Sequence, residues 1–439
     1  MPQRFRARAL ALMLITAFIT AAASFGAGAA ARASIETGAP GVAVSGDSAI
    51  PSRASIEIGA PGVAVSGDSG VPSRASIETG APGVATSGGS GITSQIVKLR
   101  IKGDFRLRYQ YEKEGEDEAR NRMRIRFRLA GKARVADRWK VGFRFATGGD
   151  DPRSTNQTLD GSFSTPDMRF DYAYVMFSPN EGLSLWGGKF GGIKHAVFRP
   201  TDLLWDSDIN PEGAGAILRG GFKSVKLFGN LNWWILDENR HGKDPMMFAV
   251  QPGAVVSIGG SSYIKVAAAY YSTRAVKGST LEYSAGTNTL ASFIAEGDTT
   301  MGLAYDFDTF APSFELGLSD LFDGALENLS FFGDYVRNID ADSLNTGYSF
   351  GVKAGHKKVS KAGEWQLKYI YRRLERDAWL DIFPDSDSFG GRTGVRGSEA
   401  VLELGFARDA ALVLDYYRLE TIDSGVDENL LQVDTVFRF

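Results

Sequence analysis

The feature that most constrains the fold is a strict alternation of apolar and polar residues that begins at Val97. In 97–111 and again in 121–135, apolar or aromatic residues alternate with charged or polar ones. Successive side chains of a β-strand point to opposite faces, so this period indicates strands with one apolar and one polar face. A soluble β-sandwich and a membrane β-barrel both satisfy the pattern. The strands reach the roughly 9–11 residues that a tilted membrane strand needs, and aromatic residues recur near their ends, which favours the barrel.

Transmembrane helices are not predicted beyond the N-terminal segment. No later window approaches the ~18 consecutive apolar residues of such a helix. Only helices and closed barrels pair every backbone polar group in lipid, so a chain that spans a bilayer without helices must form a closed sheet. The sequence therefore predicts an all-β fold, a transmembrane antiparallel β-barrel.

The connections between the strands alternate between short turns and long polar loops. The short turns are at 136–138, 179–181, 223–224, 259–261 and 408–409. The long loops are at 148–166, 192–213, 274–298 and 376–397. Outer-membrane barrels have short periplasmic turns and longer external loops, and every assignment agrees if the first strand runs outward.

Sixteen strands are predicted, an even number that returns the C-terminus to the periplasm. They lie at 97–111, 121–135, 139–147, 167–177, 183–191, 214–222, 225–236, 247–258, 263–273, 299–308, 329–338, 346–356, 364–375, 398–407, 410–420 and 430–439. The link at 309–328 is long for a periplasmic turn, and Ser313 to Ser319 has the pattern of a strand. Eighteen strands is therefore the alternative.

The last predicted strand is amphipathic and ends in an aromatic residue. Leu431, Val433, Phe437 and the terminal Phe439 alternate with polar or smaller residues. Such an ending resembles the signal read by the outer-membrane barrel-assembly machinery, so Phe437 and Phe439 are the predicted assembly signal.

The N-terminus is predicted to be a cleaved export signal. Arg4, Arg6 and Arg8 precede an apolar run from Ala9 to Ala23, and the small residues 27–29 form an A-x-A cleavage site. The run is too short for a stable membrane span. We therefore assign 1–29 to a signal peptide.

Three near-identical copies of 21 residues follow at 33–95. They are rich in Gly, Ala, Ser and Pro and poor in large apolar residues, so a unit cannot bury enough surface to offset its ordering entropy. The expected domains are a flexible periplasmic linker at 30–95 and a barrel at 96–439. A folded module that binds peptidoglycan or a protein partner is the alternative for the repeats.

Three segments of the chain carry a family resemblance. They are GDFRLRYQYE (103–112), NRMRIRFRLAGKARVADRWKVGFRFATGGDDPRSTNQTL (121–159) and DLLWDSDINPEG (202–213). The sequence resembles the bacterial family called putative porins, recognisably from about Gly103 to Gly213 and more generically to Phe439. The resemblance implies a barrel fold, an outer-membrane location and a channel function. The repeat linker departs from the family pattern.

The polar face of the first three strands is strongly basic. A wide barrel leaves an aqueous lumen, and charged residues facing lipid would be costly, so we expect these cations to line the pore. They are Lys98, Arg100, Lys102, Arg106, Arg108, Arg122, Arg124, Arg126, Arg128, Lys132, Arg134, Lys140 and Arg144. Focused in a narrow channel, their field would favour anions. The alternative is a lining without selectivity, in which Asp and Glu elsewhere neutralise the wall.

The loop after the fifth strand, at 192–213, is acidic. It contains Asp202, Asp206, Asp208 and Glu212. It is a candidate constriction loop that folds into the lumen. Two alternatives are a Ca²⁺ site, which carboxylates and Asn210 at alternate positions would suit although the EF-hand glycine and spacing are missing, and a solvated external loop.

Composition excludes several other functions. The 49 basic and 52 acidic residues nearly cancel, which gives no indication of nucleic-acid binding, and the absence of cysteine removes disulfides and thiolate chemistry. Only His195, His241 and His356 are present, and no G-x-S-x-G or H-E-x-x-H motif occurs, so no catalysis, metal or cofactor is expected.

The expected function is an outer-membrane porin for passive diffusion of small hydrophilic solutes. The alternative is a non-channel anchor or adhesin displayed by its external loops. The expected partners are outer-membrane lipid and lipopolysaccharide, the barrel-assembly machinery and the solutes themselves. A homotrimer is an open alternative to a single barrel.

Overall fold

The computed structural model describes residues 98–240, 242–295 and 298–439. The predicted signal peptide and repeat linker lie outside these residues. Two short 3-10 helices, Ile193–His195 and Phe389–Gly391, occur within loops of the described chain. Among the described helices, none is long and apolar enough to cross a membrane.

Nineteen strands are formed by the described residues. They are β1 (Lys98–Glu114), β2 (Arg120–Ala136), β3 (Trp139–Thr147), β4 (Gln157–Thr158), β5 (Met168–Asn180), β6 (Leu183–Lys189), β7 (Glu212–Phe222), β8 (Val225–Ile235), β9 (Met246–Gly259), β10 (Ser262–Arg274), β11 (Leu290–Ala295), β12 (Asp298–Leu303), β13 (Thr309–Leu321), β14 (Leu326–Asn338), β15 (Thr346–Gly355), β16 (Trp365–Leu374), β17 (Val395–Ala407), β18 (Ala410–Thr421) and β19 (Asp427–Arg438).

Sixteen of these strands form a closed antiparallel barrel. Each pairs with the next along the chain, and β1 pairs with both β2 and β19, so no edge is left open. The two-residue β4 adds to β2 beside the barrel wall, and β11 and β12 form a separate hairpin. The prediction of a barrel with sixteen strands is confirmed, and the alternative of eighteen is wrong.

The position of the tenth barrel strand corrects the sequence analysis. The prediction placed it at 299–308 and treated 309–328 as a link, whereas 309–321 is the barrel strand β13, paired with β10 and β14. The segment 298–303 is β12 of the hairpin. The thirteen-residue β13 has a barrel strand on each side, whereas among the described residues the six-residue β12 pairs with β11 alone, so β13 completes the barrel wall.

The two faces of each strand differ as the alternation requires. In β8, Asn230, Asn232 and Trp234 are buried inside the barrel, while Leu231 and Trp233 are exposed on the outside. The outward apolar side chains form the surface that would contact lipid, since a closed sheet offers lipid nothing but its outer face.

The two ends of the barrel are unequal. One end carries the short connections 137–138, 181–182, 223–224, 260–261, 322–325, 356–364 and 408–409, and we call it the turn end. The opposite loop end carries the long connections, among them 148–167, 190–211, 275–308 and 375–394. In outer-membrane barrels, short turns of this kind lie on the periplasmic side.

Candidate functional site

The basic residues predicted from the sequence lie on the inner face of β1, β2 and β3. Arg108 is almost fully buried and reaches Asp434 on β19 and Asp387 in the 375–394 loop, whereas its neighbours Leu107 and Tyr109 are exposed on the outside. The register places Arg106 opposite Arg126 and Arg108 opposite Arg124. The wall is therefore continuous across β1 and β2.

The half of the wall nearer the loop end is neutralised by carboxylates. Asp104 receives hydrogen bonds from the guanidinium groups of both Arg126 and Arg128, the closest at 2.8 Å. Arg128 also donates to Oδ1 of Asp208 at 2.9 Å. The remaining ion pairs in this half are Arg106 and Arg108 with Asp434, Arg122 with Glu112, and Arg144 with Asp171.

Arg124 is the exception in this half. Its guanidinium donates to the side-chain oxygen of Gln110 at 3.2 Å, and no carboxylate among the described residues lies within ion-pair distance of it. Arg124 thus carries its charge on the inner face without a direct ion pair, with the carboxylates of Asp387 and Glu112 nearby.

The acidic loop, defined here as 190–211, folds into the barrel and is tied to strands on several sides. Asp208 binds Arg128 of β2, and it also accepts a hydrogen bond from the hydroxyl of Thr155 at 2.8 Å. On the far side, Thr201 donates to Asp334 of β14 at 2.5 Å, and Arg372 of β16 donates to Asp202 at 3.0 Å. Contacts with both β2 and β14 require the loop to lie across the interior.

Aromatic packing holds this loop in place. Trp205 is 2% exposed, and its ring centre lies 5.2 Å from that of Trp234, 5.3 Å from Trp379 and 4.4 Å from Phe383. Trp379 and Phe383 belong to the 375–394 loop, and the indole N–H of Trp379 donates to the carbonyl of Leu204 at 2.6 Å. Two loops and the inner face of β8 therefore form one apolar core inside the barrel.

The carboxylates of the acidic loop do not converge on one point. Asp202 binds Arg372, Asp206 accepts from the backbone N–H of Asp208 and Ser386, Asp208 binds Arg128, and Glu212 at the start of β7 binds Lys189. Each has a different partner, so the described geometry does not bring these residues together as a calcium cage.

One carboxylate cluster does have the spacing of a metal site. It consists of Asp202, Asp385 and Glu399. The guanidinium of Arg372 lies among them and donates to Asp202 and Asp385 at 3.0 Å each, and to Glu399. Lys368 also pairs with Glu399 at 2.5 Å. An arginine already supplies the positive charge that this cluster requires, so we interpret it as an ionic network.

Burial and neighbouring charges shift the pKa values of Asp206 and Asp208 in opposite directions. The guanidinium groups of Arg128, Arg126 and Arg106, with a hydrogen bond from Thr155, overcome the effect of burial and hold the pKa of Asp208 well below its usual range. Burial, with Asp385 and Asp208 nearby, raises the pKa of Asp206 well above its usual range. Asp208 is thus the carboxylate that stays charged opposite the arginines.

The half of the wall nearer the turn end differs in its ion pairs. None of the described residues offers a carboxylate within ion-pair distance of Arg100, Lys102, Lys132, Arg134 or Lys140. Most of these cations line a cavity of about 380 Å³ together with His195 and Arg219. The predicted wall therefore divides into a neutralised half and a cationic half. Lys98 begins β1, and its side chain is outside the described part of the structure.

Comparison of the sequence with protein-family models decides the family. The model described as putative porin matches residues 111–313 and 293–439, which covers most of the chain and nearly all of the barrel. The chain belongs to the putative porin family.

The porin shows low sequence identity to the solved structures it matches, and no curated protein sequence matches it. A triple mutant of the Rhodopseudomonas blastica porin is 12% identical, with a TM-score of 0.44, and the match covers 78% of this chain and 100% of that one. A loop L8 deletion mutant of OmpT, an outer-membrane protein of Vibrio cholerae, is 11% identical with a TM-score of 0.44 over 78% and 99% of the two chains.

Family membership together with the closed barrel makes this chain an outer-membrane porin. The predicted family, the outer-membrane location and the porin class of the channel are therefore confirmed.

The C-terminal aromatic residues of the porin lie at the closure of the barrel. Phe437 pairs with Phe105 across β19 and β1, and both backbone groups of Phe439 bond to Gly103, at 2.7 and 3.0 Å. The rings of Phe437 and Phe439 are exposed on the outer face. A Cβ on Gly103 would lie 2.4 Å from the Phe439 ring, so this glycine leaves the space that the ring occupies.

Several site residues were missed by the sequence analysis. Asp104 and Asp434 occupy inward positions of the alternating pattern on β1 and β19, so the same periodicity could have found them. Asp387, the loop partner of Arg108, and Asp385 with Arg372 of β16, which pair with each other, are marked by no local pattern.

Proposed function

We propose that this porin forms a water-filled channel for passive diffusion of small hydrophilic solutes, and that the channel prefers anions. We further propose that the 190–211 loop narrows the channel from inside. The observation that carries the preference is the group of turn-end cations without carboxylate partners, described above.

The physical basis is the concentration of one sign of charge in a confined space. A lumen with low-dielectric walls focuses the field of its charges and raises the local concentration of counter-ions. Asp104, Asp434 and Asp208 pair with arginines, and the electric fields of the paired charges largely cancel away from each pair. At the turn end this cancellation does not occur among the described residues, so a net positive potential remains there.

The constriction role is supported by the anchoring of the loop. Asp208 faces Arg128 on one side of the interior, and Thr201 binds Asp334 on the other. A loop held at both sides by buried polar contacts and by Trp205 would keep its position as ions pass. Water-filled space would then run between the loop and the turn-end half of the basic wall, where the cavity of about 380 Å³ lies.

Reversal potentials across a planar bilayer test the proposal. Under a KCl gradient, the wild-type porin should give a potential of the sign expected for chloride preference. The potential should shrink as the salt rises, because the Debye length falls from ~10 Å at 0.1 M to ~3 Å at 1 M. The double variant Lys132→Gln with Lys140→Gln should lose most of the preference for chloride.

A matched double variant controls for net charge. Lys357 and Lys358 are exposed in the turn-end connection 356–364 and line none of the cavities described here. Lys357→Gln with Lys358→Gln removes the same charge and should leave the reversal potential unchanged. Cation preference in the wild type would refute the selectivity proposal while leaving the barrel unaffected.

A non-channel role is the second candidate, and the apolar core inside the barrel is the observation that favours it. Trp205, Trp234 and Trp379 fill part of the interior with side chains rather than water. A plugged barrel that serves as an anchor or adhesin would give no conductance above the bare bilayer. Stepwise conductance from purified, folded porin would exclude this reading.

The remaining proposals concern export and assembly. We propose that 1–29 are cleaved during export, that 30–95 lie in the periplasm, and that Phe437 and Phe439 are read by the barrel-assembly machinery. The exposed aromatic side chains at the closing strand support the last of these. Lipid and lipopolysaccharide would cover the outer face, and association into trimers is open to measurement by cross-linking.

A further inference from the structure

Two adjoining cavities open inside the barrel near the turn end. The first, of about 380 Å³, lies against β1, β2, β3, β5 and β7, and the second, of about 340 Å³, lies against β7, β8, β9 and β10. His195, Ile217 and Arg219 line both. Each volume falls within the roughly 300–1,000 Å³ of small-molecule sites in proteins.

The charged side chains that line these cavities are all basic. They are Arg100, Lys132, Arg134, Lys140, Lys194, Arg219, Lys226 and Lys265. Across the described ranges of the chain, none of them has a carboxylate within ion-pair distance. Glu315 lies opposite Lys265 on β13 but is hydrogen-bonded to the hydroxyl of Tyr263 at 2.6 Å. Such a concentration of unpaired cations favours a ligand with more than one negative charge.

The cavities also have aromatic and apolar side chains. Tyr174, Met176 and Phe190 line the first, and the ring of Phe190 stacks on Trp186 at 4.4 Å. Phe198 and Phe228 line the second, and the ammonium group of Lys265 lies 3.8 Å from the centre of the Phe198 ring. Phe190 is 2% exposed and only backs the first cavity, so the accessible apolar surface comes from Tyr174, Met176, Phe198 and Phe228. A bare inorganic anion would leave this surface unused, whereas an aromatic body would pack against it.

The inward loop contributes a titratable group at the junction of the cavities. His195 ends the short 3-10 helix of that loop and is exposed to the cavity space. Desolvation by the surrounding protein, with Lys194, Lys132 and Arg219 nearby, lowers the pKa of His195 to about 4. His195 is therefore neutral at pH 7, and a bound anion would raise its pKa.

We propose that these two cavities form a binding site for small aromatic dicarboxylates, with Lys132, Lys140 and Arg219 holding the carboxylates and the aromatic side chains holding the ring. The proposal rests on the proposed function, since the solute reaches the site through the lumen. The proposed site specifies a class of solute, whereas the proposed anion preference specifies only the sign of the charge.

Calorimetric titration of the folded full-length porin in detergent micelles at pH 7 tests the site. The probe is benzene-1,3-dicarboxylate, compared with benzoate and inorganic phosphate. The dicarboxylate should bind, and both comparators should bind at least about tenfold more weakly, because each lacks one of the two recognised features. Equal binding of phosphate would show an adventitious anion patch and would overturn the aromatic assignment.

Two double variants locate the binding. Lys132→Gln with Lys140→Gln should weaken the dicarboxylate by about tenfold or more. Lys357→Gln with Lys358→Gln should leave its affinity unchanged. Equal loss in both variants, or no heat of binding by the wild type up to about 10 mM probe, would refute the site.

A second readout does not depend on the lysine variants folding well. In histidine-labelled porin, the NMR titration midpoint of His195, assigned through His195→Gln, should move to higher pH when the dicarboxylate is added. An unchanged midpoint at saturating probe would refute the placement at His195. Neither measurement requires conductance, so a porin that binds the probe but passes no current would refute the proposed function alone.

Discussion

At the level of single residues, Arg372 compensates several buried negative charges at once. One guanidinium serves Asp202, Asp385 and Glu399, and all three carboxylates have little access to solvent. Removing one partner of a buried ionic network is costly because the remaining charges stay buried without compensation. Arg372 thus links the 190–211 loop, the 375–394 loop and the barrel wall through one side chain.

Arg372→Ala should lower the free energy of unfolding by about 3–5 kcal/mol, because Asp202 and Asp385 would lose their ion-pair partner and Glu399 would keep only Lys368. Unfolding by guanidinium chloride in detergent, followed by tryptophan fluorescence, measures this. Arg376→Ala is the control, since Arg376 and its partner Asp423 are both exposed. An exposed pair is worth about 0–1 kcal/mol, so a similar loss in both variants would contradict the network.

Asp385 carries a pH-dependent part of the stability. Burial and the neighbouring Asp202 outweigh Arg372, which is shared among three carboxylates, and raise the pKa of Asp385 from 3.8 to about 7. A carboxyl with a raised folded-state pKa favours folding at low pH. That contribution is lost as the pH rises from about 4 through about 7.

The unfolding midpoint of the wild type should therefore fall more between about pH 5 and about pH 8 than that of Asp385→Asn. The charges of Asp387 and Glu399 also raise the pKa of Asp385. Subtracting the pH profile of the variant from that of the wild type isolates the contribution of Asp385. Identical pH profiles for the two proteins would show that Asp385 is charged throughout the range.

At the level of elements, the closure between β1 and β19 decides whether the sheet becomes a barrel. Gly103 on β1 bonds to both backbone groups of Phe439, and the absence of a side chain on it leaves room for the Phe439 ring. A Cβ there would also lie 2.8 Å from the carbonyl oxygen of Arg128, which cannot move without distorting β2. The last residue of the chain therefore fits against one glycine of the first strand.

Gly103→Ala should reduce the yield of folded barrel, because the Phe439 ring must leave its position at the closure. The heat-modifiable band on cold SDS gels measures the folded fraction. Gly220→Ala on β7 is the matched control, since a Cβ at Gly220 would meet nothing within 4 Å. Deletion of Phe439 should have an effect at least as large, and equal yields in all variants would contradict the role of this contact.

For the whole molecule, charge is distributed along the barrel axis. Ion pairs neutralise the basic wall toward the loop end, whereas cations without carboxylate partners among the described residues line the turn end. A third cavity, toward the loop end and of about 410 Å³, has Asp150, Asp237 and Glu282 in its lining. A solute that crosses would therefore meet acidic side chains at one end and basic ones at the other.

The relation of the repeats to the barrel is testable although they lie outside the described residues. Mild proteolysis of the full-length porin should remove 33–95 and leave a resistant core that starts near Ile96, since the composition of the repeats disfavours a packed core. N-terminal sequencing of the core and its intact mass measure this. Uncleaved repeats would indicate a folded module, and an intact mass that includes 1–29 would contradict signal cleavage.

The sequence by itself determined the barrel, the number of strands and the inward position of the arginines. These depend on a period of two residues, which is a local property and is visible in any stretch such as 122–128. The tenth strand was misplaced because 299–303 and 309–321 both carry strand patterns, and only pairing with β10 and β14 distinguishes them.

Only the tertiary structure decided which charges remain unpaired. Arg108 meets Asp434 across the closure of the barrel and Asp387 through a folded loop, at separations of 326 and 279 residues. No periodicity relates such distant positions, because their meeting depends on ring closure and on the apolar packing of Trp205 that draws the loops inward. The sequence thus placed the cations on one face, and the folding of distant carboxylates onto them determined which of the described cations have ion-pair partners.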